Sequence, residues 1–205
     1  MVQIVEILKA IVTNVLTAFY QPFGFSVLLA VFFMFAWLLS EQYGGGLEGW
    51  KKAFLKWWEA LRSRAVFRRH FVLAFYTSLM LFRTLLNREL WLNPLSNVMG
   101  GWRLIAANGE ITTDSVENVI LFIPFTFLLF YAMRKRIVKG RLRFLAVAGK
   151  ATEISFLCSL SIETAQLLFR IGTFQLADLF YNTLGGLIGG MIYWIVIRLS
   201  RHNRR

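Results

Sequence analysis

Cysteine, histidine and acidic residues are all scarce in this chain of 205 residues. Cys158 is the single cysteine and stands in an apolar segment, which excludes an internal disulfide framework and a cysteine-rich metal site. Asp and Glu number 11 against 23 Lys and Arg, so the formal net charge is +12. Such an excess attracts nucleic acid or anionic lipid, and the placement of the basic residues has to decide between them.

Polar residues are too few for a soluble domain, because 57% of the chain is hydrophobic and 16% is aromatic. A domain of this length cannot bury so much apolar surface, so the composition predicts an integral membrane protein. The first residues contain neither a basic stretch nor a small-residue cleavage site. We therefore expect no removable signal peptide, and the hydrophobic segments should stay in the mature chain.

Five segments are long and apolar enough to predict transmembrane helices. The first follows Pro22, a residue that suits the first turn of a helix. The predicted spans are Phe23 to Ser40, Phe71 to Asn87, Asn118 to Met133, Phe144 to Phe169 and Leu179 to Ile197. The sequence thus predicts an all-α integral membrane protein with a bundle of about five transmembrane helices.

The segment 1–21 has a different pattern. Its apolar residues recur at helical spacing, while Gln3, Glu6 and Lys9 face elsewhere. This pattern predicts an amphipathic helix that lies in the membrane interface or is re-entrant; a sixth, short crossing is the alternative. We therefore divide the chain into this helix, residues 1–21, and a membrane domain, residues 22–205.

Basic residues cluster in the segments 41–70, 134–143 and 198–205, whereas the connections 88–117 and 170–178 hold few. The positive-inside rule places the first three in the cytoplasm and the other two outside. These assignments agree with alternation across five spans and give a cytoplasmic C-terminus. Membrane topology thus explains the excess of positive charge, and we expect no nucleic-acid partner.

Ionisable residues at membrane depth are costly and need a partner or a wet cavity. Lys150 and Glu153 lie three residues apart near the start of the fourth span, which predicts a local ion pair. The outer ends of four spans carry polar residues in one layer: Arg83, Arg88, Glu117, Asn118, Glu163, Gln166, Arg170, Asp178 and Asn182.

Two interpretations of this outer layer are open. It could be a packing network, with Arg83 and Arg170 paired to Glu163 and Asp178. We favour a ligand-binding or catalytic pocket, because packing alone would not need arginines, three carboxylates and three amides together. Nearby residues predict close helix packing, namely Gly185, Gly186 and Gly189, and a helix interruption, namely Pro124.

The chemistry of the layer suggests its ligand. Two arginines suit a phosphate or carboxylate, and carboxamides suit hydroxyls, so a lipid headgroup or a lipid-linked phosphate or sugar fits. His70 and His202 both fall in predicted cytoplasmic segments. We therefore predict neither a metal site nor a cofactor in this layer.

Several of these stretches resemble the VanZ-like family of membrane proteins. The third span, from Glu117-Asn118 to Pro124-Phe125, is similar to the family pattern N-hydrophobic-F-hydrophobic-P. The family core S-x-E-x-x-Q, then R, then D-x-x-x-N-T-x-G-G is matched by Ser161 to Gln166, Arg170 and Asp178 to Gly186. Arg83 to Arg88 and Asn93-Pro94-Leu95 resemble the preceding element. The resemblance covers about residues 70–197 and departs at Gln175, where the family commonly has an acid.

The resemblance implies a bacterial cell-membrane protein, some of whose relatives lower susceptibility to teicoplanin-type lipoglycopeptides. One hypothesis is that the chain engages an outer-leaflet envelope lipid or the antibiotic's lipid tail, with Arg83 and Arg170 holding an anionic headgroup. A second is an enzyme that modifies a lipid or lipid-linked cell-wall precursor, with Glu163 as acid/base and Asp178 or Glu117 assisting. A small transporter or assembly subunit is the third. The oligomeric state stays open.

Overall fold

The computed structural model describes residues 2–40, 47–86, 88, 90–102, 112–140 and 142–202, and no strand occurs among them. The helices are α1 (Val2–Tyr20), α2 (Phe23–Leu38), α3 (Leu47–Ser63), α4 (Ala65–Leu81), α5 (Asp114–Ile137), α6 (Phe144–Phe169) and α7 (Leu176–His202). A π-helical turn, Phe82–Leu86, continues α4. The predicted all-α membrane protein is confirmed.

Three helices, α5, α6 and α7, are each long and apolar enough to cross a membrane. They contain 24, 26 and 27 residues. At a rise of about 1.5 Å per residue, each exceeds the roughly 30 Å of a typical hydrocarbon core.

The number of predicted spans is not met, because the described residues contain three such helices, or four if a bent pair is one span. That pair is α1 and α2, which meet at a bend of 41° and are long and apolar enough to cross a membrane only together, as a broken span or a re-entrant loop. The second predicted span, 71–87, corresponds to α4, which starts at Ala65 and loosens into π geometry at Phe82. Counting consecutive apolar residues did not reveal these breaks. Asn87, the predicted end, lies outside the described residues.

Helix α7 packs closely on α5 through two glycines one turn apart. A Cβ atom at Gly185 would overlap the backbone of Val119, and one at Gly189 would overlap the backbone of Ile123. Backbones that approach this closely are typical of small-residue packing between membrane helices. The α5–α7 pair therefore fixes how the first turns of both helices meet.

The opposite side of α7 packs on α6 in the same way. A Cβ atom at Gly186 would overlap the Ser155 side chain, whose hydroxyl lies 3.0 Å from the Thr126 hydroxyl of α5. The three helices thus share a buried contact deep in the bundle.

Helix α5 continues through Pro124, although the sequence suggested an interruption there. A proline removes one backbone N–H donor, and membrane helices tolerate this where neighbouring helices pack around the site. Tyr76 of α4 contributes nearby, donating from Oη to the backbone oxygen of Leu121 at 2.9 Å. The non-helical residue of α5 is instead Met133.

Helices α4 and α5 run antiparallel and connect two ends of the bundle. At one end, Arg83 forms an ion pair with Glu117. At the other, the guanidinium of Arg69 lies 4.8 Å from the centre of the Tyr131 ring. We call these the polar end and the basic end.

Helix α2 runs alongside α4 from the polar end to the basic end. The rings of Phe25 and Phe82 are 5.1 Å apart near the polar end, and those of Trp37 and Phe67 are 5.8 Å apart near the basic end. Helices α2 and α4 thus extend from one end to the other, although they contain only 16 and 17 residues.

Helix α3 is an amphipathic helix at the basic end. The sequence predicted only a basic segment, 41–70, in this part of the chain. The helix buries Ala53 and Ala60, while Trp50, Phe54 and Trp58 are exposed. Exposed aromatic residues interspersed with lysines are typical of a helix that lies in a membrane interface.

Candidate functional site

The π-helical turn brings α4 to the polar end. Thr84 in this turn is buried, and its backbone oxygen accepts a hydrogen bond from Nε2 of Gln166 on α6 at 2.8 Å. Its hydroxyl donates to the backbone oxygen of Met80 at 2.9 Å. π turns often mark functional sites, and this one is fixed to α6 by a side-chain amide.

Arg83, in the same turn, forms the ion pair of the polar end. Its Nη2 donates to Oε2 of Glu117 at 2.9 Å. The other carboxylate oxygen of Glu117 accepts from the Thr113 hydroxyl at 2.5 Å, and that hydroxyl accepts from Nδ2 of Asn14 at 2.8 Å. One chain of polar contacts therefore joins α4, α5 and α1.

A second contact joins α5 to α7. Nδ2 of Asn118 donates to Oδ1 of Asp178 at 2.8 Å. Asp178 lies in the first turn of α7, as Asp114 and Glu117 lie in the first turn of α5. Carboxylates are favoured at helix N-termini, where backbone N–H groups carry partial positive charge. This preference explains why acidic residues gather at this end.

A cavity of about 70 Å³ lies between these contacts, and we call it the polar cavity. Its charged and carboxamide-bearing walls include Arg83, Arg88, Asp114, Glu117, Asn118 and Asp178. Because liquid water occupies about 30 Å³ per molecule, the space suits a few waters or one small polar group. Two guanidinium groups and three carboxylates therefore face one small space.

Glu163 is 1% exposed and lies behind the wall of the polar cavity. Its Oε2 accepts a hydrogen bond from the backbone N–H of Gln175 at 2.9 Å. The Gln175 side chain in turn donates to the hydroxyl of Thr173 at 2.9 Å, and both residues line the cavity. Glu163 thus holds the loop that supplies one wall. Gln166 holds the opposite wall through Thr84.

The segment 90–102 lies against the loop between α6 and α7. Three backbone hydrogen bonds connect them: Trp91 N–H to Arg170 O at 2.7 Å, Phe174 N–H to Pro94 O at 2.9 Å and Leu176 N–H to Val98 O at 3.0 Å. These bonds secure the loop to segment 90–102, in addition to the bond that Glu163 makes from α6.

Gly101, next to the end of this segment, has a φ of +82°, a value that glycine adopts without strain. Its oxygen accepts from the Ser115 hydroxyl of α5 at 2.6 Å, and a Cβ atom here would lie 2.5 Å from Oε1 of Gln175. A side chain at this position would therefore disturb both the backbone and the loop.

Arg170 is placed differently from the other predicted site residues. It caps the C-terminus of α6 in the left-handed conformation, with φ of 53°, and is exposed. It is not among the residues that line the polar cavity. Its contribution to the site is its backbone oxygen, which accepts from Trp91.

Asn182 lies deeper in the bundle than the cavity. It is 3% exposed, its Nδ2 donates to the Ser159 hydroxyl at 2.9 Å, and its Oδ1 is a buried acceptor with no hydrogen bond in the part of the chain described here. Asn182 therefore belongs to the α6–α7 contact rather than to the cavity wall.

The structure brings together five of the nine predicted layer residues around the cavity, and places Glu163 and Gln166 behind it. The predicted alternative pairing of Arg83 with Glu163 or Asp178 is not observed, because Arg83 pairs with Glu117. Sequence reasoning missed Asp114 and Gln175. Each stands three residues before a predicted site residue, Glu117 or Asp178, and that helical spacing could have indicated them.

The fold and the site define a multi-helix membrane protein with a small, mixed-charge cavity at one end. The model of the VanZ/LLP1 family matches residues 25–197, and the chain belongs to this family. The predicted VanZ-like resemblance is thereby confirmed, and the match also takes in α2 and α3, which lie ahead of the recognised stretch. No curated protein and no solved structure matches the chain.

Proposed function

We propose that the chain binds the polar part of an outer-leaflet envelope lipid in the polar cavity and thereby lowers susceptibility to teicoplanin-type lipoglycopeptides in a bacterial cell membrane. The observation that carries this proposal is the mixed-charge lining of a cavity that can hold one small polar group, such as the phosphate of a headgroup.

The arrangement of charges favours a ligand with both acceptor and donor groups. Arg83 is engaged by Glu117, and Arg88 makes no ion pair within the ranges that the structure describes. Arg88 is therefore the guanidinium that an anionic phosphate would meet first. The carboxylates of Asp114 and Asp178 would accept hydrogen bonds from hydroxyl or ammonium groups on the same ligand.

The polar lining also separates the two ligands considered from the sequence. An acyl tail gains nothing from walls of carboxylates and guanidinium groups, because burying those groups without hydrogen bonds is costly. A phosphate-bearing headgroup supplies the missing partners. The cavity thus favours the envelope lipid over the lipid tail of the antibiotic.

The proposed orientation puts the polar end outside and the basic end in the cytoplasm. It follows from the basic segments 134–143 and 198–205, which flank the ends of α5 and α7 away from the cavity. Helices α2 and α4 would then complete five traversals. Their short lengths would be accommodated by local thinning of the bilayer and by arginines that reach the headgroups.

An enzyme that acts on a lipid or lipid-linked precursor is the second candidate, and Asp178 favours it because this carboxylate faces the cavity. Glu163 would then position the 173–175 loop, since it contacts the Gln175 backbone and not the cavity. Altered lipid masses in cells that carry the wild type, and their absence with Asp178→Asn, would support catalysis. Unchanged lipid and precursor profiles would exclude it.

Susceptibility to teicoplanin and vancomycin in a sensitive host tests the binding proposal. Arg88→Gln removes the guanidinium that faces the cavity and should weaken lipid binding about tenfold, the value of one charge-assisted hydrogen bond. Cells with the wild type should tolerate more teicoplanin but no more vancomycin, and Arg88→Gln should abolish the difference at a matched membrane level.

Arg170→Asn is the matched control. It removes an arginine from the same end of the bundle, while asparagine tolerates the left-handed backbone of this position. Protection should survive in this variant. Equal loss of protection in both variants, or full protection by Arg88→Gln, would contradict a role for the polar cavity.

A further inference from the structure

The basic end holds a second cavity, of about 560 Å³, that the proposed function does not use. Five cationic side chains line it: Arg64, Arg69, Arg134, Lys135 and Arg136. No aspartate or glutamate is among its lining residues. We call it the basic cavity.

None of these cations forms an ion pair in the described part of the chain, although Arg64 lies near enough to Glu59 of α3 to attract its carboxylate. Within the described ranges the ion pairs are formed by Lys52, Lys56, Arg83 and Lys150, all outside the basic cavity. Nε of Arg134 is buried and has no hydrogen-bond partner there. Like charges that share one cavity repel, so an anion that entered would relieve this repulsion and supply acceptors.

An apolar groove of about 420 Å³ lies beside the basic cavity, between α2 and α4. The two spaces share Trp37, His70 and Arg136 as lining residues. Beyond these, the groove is lined mainly by apolar side chains such as Phe33 and Leu73. A charged cavity beside an apolar groove matches a molecule with an anionic head and a hydrocarbon chain.

The basic cavity lies next to α3, and this position places it at the level of the lipid headgroups. Arg64, one of its lining residues, directly follows α3, whose exposed face carries Trp50 and Trp58. Tryptophans concentrate at the membrane–water interface, where the headgroups of phospholipids also lie. The cations would thus meet lipid phosphates rather than hydrocarbon.

We propose that the basic cavity and the α2–α4 groove together bind one anionic phospholipid, with its phosphate among the arginines and an acyl chain along the groove. The lipid is favoured over a free phosphate ion because the groove gives hydrocarbon a place that inorganic phosphate does not need. The site is distinct from the polar cavity and lies at the opposite end of the bundle.

Thermal unfolding of the purified full-length protein in a neutral detergent tests this site. Short-chain phosphatidylglycerol should raise the Tm of the wild type in a saturable manner, because a ligand that binds only the folded state stabilises it. Phosphatidylcholine of the same chain length and inorganic phosphate should each leave the Tm unchanged. Arg136→Gln should weaken the phosphatidylglycerol effect about tenfold in apparent Kd, since this side chain lines both spaces.

Two further variants separate a site from diffuse attraction between charges. Lys139→Gln removes one exposed positive charge from the same basic segment without touching either space, and it should retain the wild-type Kd. Thr77→Phe narrows the groove and should weaken binding of phosphatidylglycerol. Equal weakening by Arg136→Gln and Lys139→Gln, or a Tm rise with inorganic phosphate alone, would overturn the proposal.

Discussion

The polar end and the basic end of the bundle hold charged residues in different ways. At the polar end, side chains from separate helices meet in pairs, Arg83 with Glu117 and Asn118 with Asp178. At the basic end, cations line a cavity without a carboxylate among them. Paired groups of opposite charge hold neighbouring helices in one arrangement. A cluster of positive charge instead indicates the cytoplasmic side by the positive-inside rule, and it can bind an anion.

The largest effect should come from separating the two helices that build the polar end. Gly185→Val would drive a side chain into the backbone of Val119 and push α7 away from α5. Overpacking of this kind costs about 3 kcal/mol of unfolding free energy, and it would also misalign Asn118 with Asp178. Unfolding in detergent, followed by circular dichroism, measures the cost.

Gly149→Val provides the control for this change. Gly149 lies on α6 with open space where its Cβ would be, so the same substitution should cost less than 1 kcal/mol there. Equal destabilisation by both variants would show that the close α5–α7 contact has no special weight.

A smaller effect is expected for the ion pair between α4 and α5. Arg83→Met, Glu117→Gln and the double variant form a cycle, and the coupling free energy should be about 1.5 kcal/mol because the pair is largely shielded from water and links two helices. Chemical unfolding of the four proteins gives this value. Additive single effects would mean that the pair does not stabilise the polar end.

The exposed pair Lys150–Glu153 lies within one helix, whereas Arg83 and Glu117 join two helices. The N–O distance of the exposed pair is 2.7 Å, which confirms the predicted local ion pair, but both side chains are about half exposed. Solvent screening and side-chain entropy reduce such i, i+3 pairs to about 0.3–0.5 kcal/mol. A coupling as large as that of Arg83 and Glu117 would remove the distinction between tertiary and local pairs.

The sequence predicts the polar layer well where residues follow helical periodicity, but it does not predict the contacts that loops make. Glu117, Asn118 and Asp178 were found because they begin helices, and helix starts can be read from composition. Arg170 was predicted to belong to the layer because an α6 extended by one turn would bring its side chain there. In the structure the helix ends in a left-handed residue there.

Other features depend on three-dimensional packing that one chain does not reveal. The π turn at Phe82–Leu86 has no signature in sequence period, yet it decides where Arg83 and Thr84 lie. The bend between α1 and α2 changed the number of spans in the same way. Local geometry at helix ends, rather than hydrophobicity, limited the prediction.

We expect the two ends of the bundle to face opposite sides of the membrane, with the polar cavity outside. Cysteine labelling in intact bacteria tests it directly, because Cys158 is the single native cysteine and can be replaced by serine. Ser96→Cys then marks the polar end and Lys139→Cys the basic end, both at exposed positions. A membrane-impermeant maleimide should label Ser96→Cys in intact cells and Lys139→Cys only after permeabilisation; the reverse pattern, or labelling of both in intact cells, would contradict the account.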